Sequence, residues 1–135
     1  MRLLLTALVA SSLCLPMQAA AARDTIGVYM NSDQITKSCR AFLQLRRARN
    51  QTSDSQLAYD AGFCLGAVYS VMDMNAFHSE QLLHSVHFPK FCMPDSVNGN
   101  DAAEAVGLFI DMHPELRTLG GYALIRRALA ATWSC

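Results

Sequence analysis

A helix-like pattern of apolar positions lies in the middle of the chain, between residues 57 and 72. Its apolar side chains recur at steps of three and four, so they share one face of a helix. The residues on this face are Leu57, Ala61, Cys64, Leu65, Val68 and Met72. Tyr59, Phe63 and Tyr69 make most of the remaining surface apolar as well, which predicts a helix buried in the middle of a bundle. A glycine in a helix interior costs about 1 kcal/mol of helix stability relative to alanine. We therefore expect Gly62 and Gly66 to face a closely packed neighbour that compensates for this cost.

Polar residues mark the helix that precedes this central one. Asn31 or Ser32 can cap a helix that runs to about residue 49. The polar stretch from residue 50 to residue 54 predicts a turn, and Ser53 or Asp54 can cap the central helix after it. We therefore expect the two helices to form an antiparallel hairpin.

The second half of the chain predicts two more helices. Residues 74–91 are less regular, with a possible short helix around Leu82 and Leu83. A helix from about residue 101 to residue 112 ends before Pro114, because proline disfavours helical geometry at the residue before it. A last helix from about residue 118 to residue 133 carries apolar side chains at steps of three and four. No stretch alternates convincingly with period two, so the sequence predicts an all-α fold, a small single-domain bundle of about four to five helices.

The first 22 residues have the composition of a secretory signal peptide. Arg2 supplies a positive start, residues 3–15 an apolar run, and residues 19–22 a cleavage region of alanines. The apolar run is too short to span a membrane. Cys14 could indicate a lipoprotein, but Leu13 before it is too large for such a signal. We expect residues 1–22 to be cleaved and residues 23–135 to form one exported domain without a membrane anchor.

Charge excludes one class of partner. Removing Arg2 from the 11 Lys and Arg leaves ten against 11 Asp and Glu, a net charge near −1. A nucleic-acid-binding domain would show a basic excess, so no nucleic-acid partner is expected. Arg46, Arg47 and Arg49 do make the second half of the first helix basic. Cations near a helix C-terminus are commonly solvated and favoured by the dipole, and the alternative is a patch for a membrane surface or an acidic partner.

Four cysteines remain after cleavage: Cys39, Cys64, Cys92 and Cys135. An even number in an exported domain indicates two disulfides, with three possible connectivities. Positions that face each other across an antiparallel hairpin have residue numbers with a constant sum. A turn centred between residues 51 and 52 places Cys39 opposite Cys64, and the second pair is then Cys92 with Cys135. The absence of any C-x-x-C makes a metal site the weaker interpretation.

Histidines offer a second possible chemistry. His78, His84 and His87 lie close together in sequence and Cys92 follows them, but their spacing matches no familiar zinc-ligand set. No metal or other cofactor is therefore expected. A catalytic cysteine must be free and near a base, whereas all four are expected to be paired. No glycine-framed serine of the G-x-S-x-G type occurs either, so the sequence predicts that the protein is not an enzyme.

Several short motifs follow one another in the exported part of the chain. They are a cysteine in the first helix, C-x-G-x-x-Y at residues 64–69, F-C-x-P at 91–94, H-P at 113–114 and A-L-x-x-x-W-x-C at 128–135. In this order they resemble the Rap/Tai family of immunity proteins, which protect bacteria against amidase effectors delivered by type VI secretion. The resemblance implies a small periplasmic helical protein, often dimeric, that binds a peptidoglycan amidase of the cysteine-peptidase type and occludes its active-site cleft. Ser134 departs from the family, which more often has proline there.

The motif residues are mostly scaffold, so they do not identify the surface that meets the partner. Loops held by a rigid scaffold commonly carry recognition, which makes the polar segment from residue 75 to residue 90 the first candidate. Its candidate side chains are His78, Glu80, His84, His87 and Lys90. The basic set Arg46, Arg47 and Arg49 is the second candidate, suited to an acidic rim. Ordinary solvent exposure explains the polar segment about equally well.

An acid-responsive periplasmic chaperone is the alternative function. Small helical chaperones of that kind share a cysteine followed by F-L in the first helix, as at residues 39–43, and the four histidines here could titrate on acidification. Such chaperones usually have one disulfide. The second cysteine pair therefore argues against this interpretation.

Overall fold

The computed structural model describes residues 30–81 and 90–135, and the predicted signal peptide lies outside that part of the chain. Four α-helices make up most of it: α1, Ser32–Arg47; α2, Ser55–Gln81; α3, Gly99–Met112; and α4, Gly121–Thr132. A short 3₁₀ helix, Pro114–Thr118, joins α3 to α4. Phe91 and Ser134 form an isolated β-bridge, and the described residues contain no strand. The all-α prediction is confirmed, and none of the described helices is long and apolar enough to cross a membrane.

Capping side chains define where α1 and α2 begin. Asn31 Oδ1 accepts a hydrogen bond from the backbone amide three residues later, at 2.7 Å. Asp54 Oδ1 accepts from the amides two and three residues later, at 2.9 Å and 3.1 Å. These bonds satisfy amides that have no partner within the helix. Arg49 and Asn50 turn the chain between the helices with positive φ angles of 53° and 60°. The predicted hairpin is confirmed, and Asn31 and Asp54 are the caps it uses.

Two disulfides hold the bundle together, and they are the pairs predicted from the sequence. Cys39 of α1 and Cys64 of α2 are both fully buried, with their Cα atoms 4.9 Å apart. Cys92 and Cys135 are both exposed, with their Cα atoms 5.0 Å apart. Beside the second bond, the Cys92 amide donates a hydrogen bond to the Trp133 carbonyl at 2.9 Å. The first disulfide thus fixes the hairpin from inside, and the second ties down the end of the chain at the surface.

The core lies where α1 packs against the other three helices and the 3₁₀ helix. Its fully buried apolar side chains are Ile35, Cys39, Cys64, Val68, Val71, Ala102, Ala103, Val106, Leu124, Ile125, Ala128 and Leu129. The prediction that α2 is buried all round is wrong, because only one side of this helix faces the core. Tyr59 is 66% exposed and Tyr69 is 43% exposed on its other side.

The glycines that permit close packing are not the predicted ones. Gly62 and Gly66 are exposed, and a Cβ built at either position would meet no other atom within 4 Å. A Cβ at Gly107 of α3, in contrast, would lie 2.9 Å from Leu43 Cγ and 3.2 Å from the Cys39 carbonyl oxygen. The prediction for Gly62 and Gly66 is therefore wrong, and close approaches lie at other glycines: Gly107 between α1 and α3, Gly99 against Tyr69, and Gly121 against the Met30 backbone.

Helix boundaries after the hairpin turn agree with the sequence at one point and differ from it at others. The predicted break before Pro114 is confirmed. However, α2 continues to Gln81, through residues that were predicted to be irregular. The start of α3 lies earlier than predicted, because Asn98 and Asp101 form a reciprocal capping box. The start of α4 lies later, because Gly120 is extended, with φ −63° and ψ 150°.

Matched leucine substitutions test the assignment of the two kinds of glycine. Gly107→Leu should lower the free energy of unfolding by about 1–3 kcal/mol or more, because the added side chain has to displace Leu43 and the α1 backbone. Gly66→Leu should leave it unchanged or raise it by up to about 1 kcal/mol, through better helix propensity alone. Urea unfolding of both variants with intact disulfides measures the difference. A larger loss in Gly66→Leu than in Gly107→Leu would contradict the assignment.

Reduction should open the two disulfides in a fixed order. Thiol–disulfide exchange requires the attacking thiolate to reach a sulfur, and only Cys92 and Cys135 are exposed. Mild reductant should therefore open this bond in the folded protein, whereas the buried Cys39–Cys64 bond should open only on unfolding. Timed reduction followed by alkylation and peptide mapping measures the order. Equal rates for the two bonds would count against it.

Candidate partner-binding surface

The basic end of α1 lies beside α3. Arg46 Nη2 donates to Glu104 Oε2 across the two helices at 3.4 Å, and both side chains are partly exposed. Arg40 Nε donates to Asp111 Oδ1 at 2.7 Å further along the same interface. Residue numbers rise along α1 as they fall along α3, so the helices are antiparallel. Arg47 is exposed and forms no ion pair with any described residue.

A groove of about 290 Å³ runs between α1 and α3 at this place. It is lined by Leu43, Arg46, Arg47, Glu104 and Leu108. Leu43 is buried at 5% exposure, while Leu108 is 44% exposed. The groove thus combines an apolar wall and floor with a basic rim. It contains two of the three predicted arginines, whereas the third, Arg49, is exposed beyond the end of α1 and does not line it. The sequence does not single out Leu108, although it follows Gly107 directly and lies one turn after Glu104 on α3.

A second polar cluster lies around Arg126 of α4, which is only 5% exposed. Its Nη1 donates to the Tyr122 hydroxyl at 3.1 Å and its Nη2 to Asn75 Oδ1 at 3.3 Å. Asn75 Nδ2 in turn donates to the Phe91 carbonyl at 3.0 Å, and the guanidinium lies 5.6 Å from the centre of the Phe91 ring. This cluster joins α2, α4 and the chain at Phe91. The sequence gives one signal for this cluster, because residue 126 is charged and yet falls on the apolar side of α4 by helical spacing.

The polar segment predicted to meet the partner is covered only in part. His78 and Glu80 belong to α2, but their side chains lie outside the described residues. His84 and His87 lie outside them altogether. Lys90 is exposed, next to the cluster at Phe91. The assignment of these residues to partner binding therefore stays a prediction.

The described residues offer binding surfaces and no assembled catalytic set. Both cysteine pairs are oxidised, so none of these four thiols is available as a nucleophile. No group of three His, Cys, Asp or Glu residues within residues 30–81 and 90–135 could hold a metal ion. His113 Nδ1 lies 3.0 Å from Glu115 Oε1, and these two exposed groups pair with each other at the surface.

One carboxylate sits in the α1–α2 interface. Asp60 is 8% exposed, with its Oδ2 2.9 Å from Lys37 Nζ and its Oδ1 accepting from Gln56 Nε2 at 3.0 Å. The hydrogen bond from Lys37 lowers the pKa of Asp60 below its ordinary value of 3.8, burial opposes this effect, and Gln56 adds to it. The ionised carboxylate therefore stabilises the hairpin.

The described bundle matches a known protein family. A sequence model of the Rap1a immunity proteins matches residues 31–135, which include all four helices and both disulfides. The chain belongs to this family. The resemblance predicted from the motifs is confirmed, and membership identifies an immunity protein whose partner is a secreted protein effector. No individual curated protein and no solved structure matched the chain.

The Asp60 ion pair predicts how the stability of this immunity protein depends on pH. Because its pKa is lowered on folding, Asp60 contributes stability that is present above its unfolded value and is lost as the pH falls through its folded value. The stability difference between the wild type and Asp60→Asn should therefore shrink as the pH falls below about 4. Urea unfolding at a series of pH values measures it. Asp95→Asn, at an exposed turn residue without an ion pair among the described residues, should show no comparable trend, and an Asp60→Asn difference that is constant with pH would refute the assignment.

Proposed function

We propose that this protein is a periplasmic immunity protein that binds a peptidoglycan amidase delivered by type VI secretion and blocks its active-site cleft. The observation that carries the proposal is the match of residues 31–135 to the Rap1a immunity family. The order of the motifs supports the amidase as partner, since amidase immunity is what the Rap/Tai resemblance implies. Occlusion needs no chemistry from the inhibitor, in keeping with a chain whose four described cysteines are all oxidised.

The periplasmic location is supported by two features of the chain. Residues 1–22 have the composition of an export signal. The two disulfides suit an oxidising compartment, because thiols are kept reduced in the cytoplasm of most bacteria. An immunity protein placed there meets an amidase where the amidase meets its peptidoglycan substrate.

The recognition surface proposed first is the polar segment from residue 75 to residue 90. It carries His78, Glu80, His84, His87 and Lys90. Its start belongs to α2, and its end is followed by Phe91 and Cys92, which are fixed by the Asn75 hydrogen bond and by the disulfide to Cys135. Fixed ends lower the entropy that a recognition segment loses on binding. We also propose that the protein forms a homodimer, as the family resemblance implies, and light scattering of the purified domain tests this.

The function is tested by expressing an amidase encoded beside this gene in the periplasm, with and without the full-length protein. Co-expression should prevent lysis, and the purified domain should bind the amidase whose catalytic cysteine has been replaced by alanine. A variant without residues 1–22 should fail to protect, because it stays in the cytoplasm while the amidase acts outside it. Continued lysis in the presence of folded, disulfide-bonded, exported protein would reject the proposal for that amidase.

A further inference from the structure

The groove between α1 and α3 has the shape and charge of a docking site. We propose that it binds a segment of the protein partner in which a carboxylate side chain lies next to a large aliphatic side chain. This inference rests on the proposed function for the identity of the partner. The residues that carry it are Leu43 and Leu108 for the aliphatic group and Arg46 and Arg47 for the carboxylate.

The apolar part of the groove is partly open to solvent. Leu43 is buried beneath it, and Gly107 allows α1 and α3 to approach closely enough for Leu43 to fill the space between them. Leu108, the next residue of α3, is left 44% exposed, and Met112 one turn further is 69% exposed. Leu108 thus leaves apolar surface exposed at the edge of a concavity. An aliphatic side chain laid between Leu43 and Leu108 would remove this surface from water.

The charged part of the groove is incompletely neutralised. Arg46 faces Glu104 at 3.4 Å, and with side-chain exposures of 36% and 43% such a pair contributes little stability. Arg47 forms no ion pair with any described residue. The groove thus presents two guanidinium groups to one carboxylate. A second carboxylate supplied by the partner would complete the pairing, and arginine can bind it through two parallel hydrogen bonds.

The charge pattern favours a protein segment over an anionic membrane. Glu104 lines the α3 side of the groove, Asp111 lies further along α3, and both would repel a surface that is negative throughout. A protein segment can place a single carboxylate at Arg47 and an apolar group at Leu108, whereas a membrane presents many negative charges at once. The concave shape also fits a single side chain better than a flat lipid surface.

The groove can be tested without knowing the effector. The probe is a short synthetic peptide with glutamate and leucine on one helical face, titrated into isotope-labelled protein and followed by NMR. Amide shifts should concentrate at residues 43–47 and 104–108, weaken with added salt, and disappear in Arg47→Glu. A matched peptide with lysine in place of each glutamate should produce none of them. Shifts confined to the exposed face of α2 around Tyr59, or no shifts at all, would overturn the proposal.

Binding of groove variants to the effector tests whether this groove takes part in immunity. With an amidase that the wild-type protein binds, Arg47→Glu and Leu108→Gln should each weaken binding about tenfold or more, the size expected for a central contact. The matched controls are Arg127→Glu on α4 and Tyr59→Gln on α2, both exposed, and they should bind as the wild type does. Equal binding by the groove variants would reject the groove and leave the immunity function standing. If no neighbouring amidase binds the wild type, the function fails and the peptide titration alone decides the groove.

Vesicle binding tests the alternative that the groove binds an anionic membrane. Vesicles of phosphatidylglycerol should not retain the protein at physiological salt. Retention that is lost in Arg47→Glu, with no response to the acidic peptide, would assign the groove to lipid and overturn the proposal.

Discussion

The geometry of the bundle depends on Cys39 of α1, which contacts both α2 and α3. Its sulfur is bonded to Cys64 of α2 in a site without solvent access, and its backbone carbonyl lies against Gly107 of α3. The same residue therefore sets the register of the hairpin and the spacing of the neighbouring helix. A cross-link over 25 residues contributes about 3–4 kcal/mol in the chain-entropy model, a large share of the roughly 5–15 kcal/mol that stabilises a typical domain.

The two surfaces that can meet a partner are held by different forces. The groove is formed by two core helices, so its shape follows from the buried packing of α1 against α3. The end of the polar segment is held instead from the periphery, by the Cys92–Cys135 bond and by the hydrogen bonds of Asn75 and Arg126. Reduction of the exposed disulfide would therefore loosen the second surface while leaving the first intact.

Sequence patterns predicted the features that depend on local spacing. The hairpin register and the break before Pro114 each follow from a few neighbouring residues, and the caps were narrowed to two adjacent residues each, of which the structure uses Asn31 and Asp54. The predictions failed where burial of a residue depends on which other helix packs against it. Periodicity shows that Gly62 and Gly66 share a face, but only tertiary packing decides that both are uncovered and that other glycines, such as Gly107, lie at contacts. The sequence predicted no groove: it indicated Arg46 and Arg47 by their charge, whereas Leu108 lines a groove only because α1 packs beside α3.

The position of Gly107 has an evolutionary consequence. A side chain there would collide with the turn of α1 that carries the buried cystine, so Gly107 and Cys39 are expected to be inherited together across the family. The outward face of α2 is less restrained at two positions, since a Cβ at Gly62 would meet nothing within 4 Å and Tyr59 is 66% exposed, whereas Tyr69 on the same side packs against Gly99 of α3. Substitutions at Gly62 and Tyr59 can therefore accumulate without disturbing the bundle, whereas a change at Gly107 has to be matched by a change in α1.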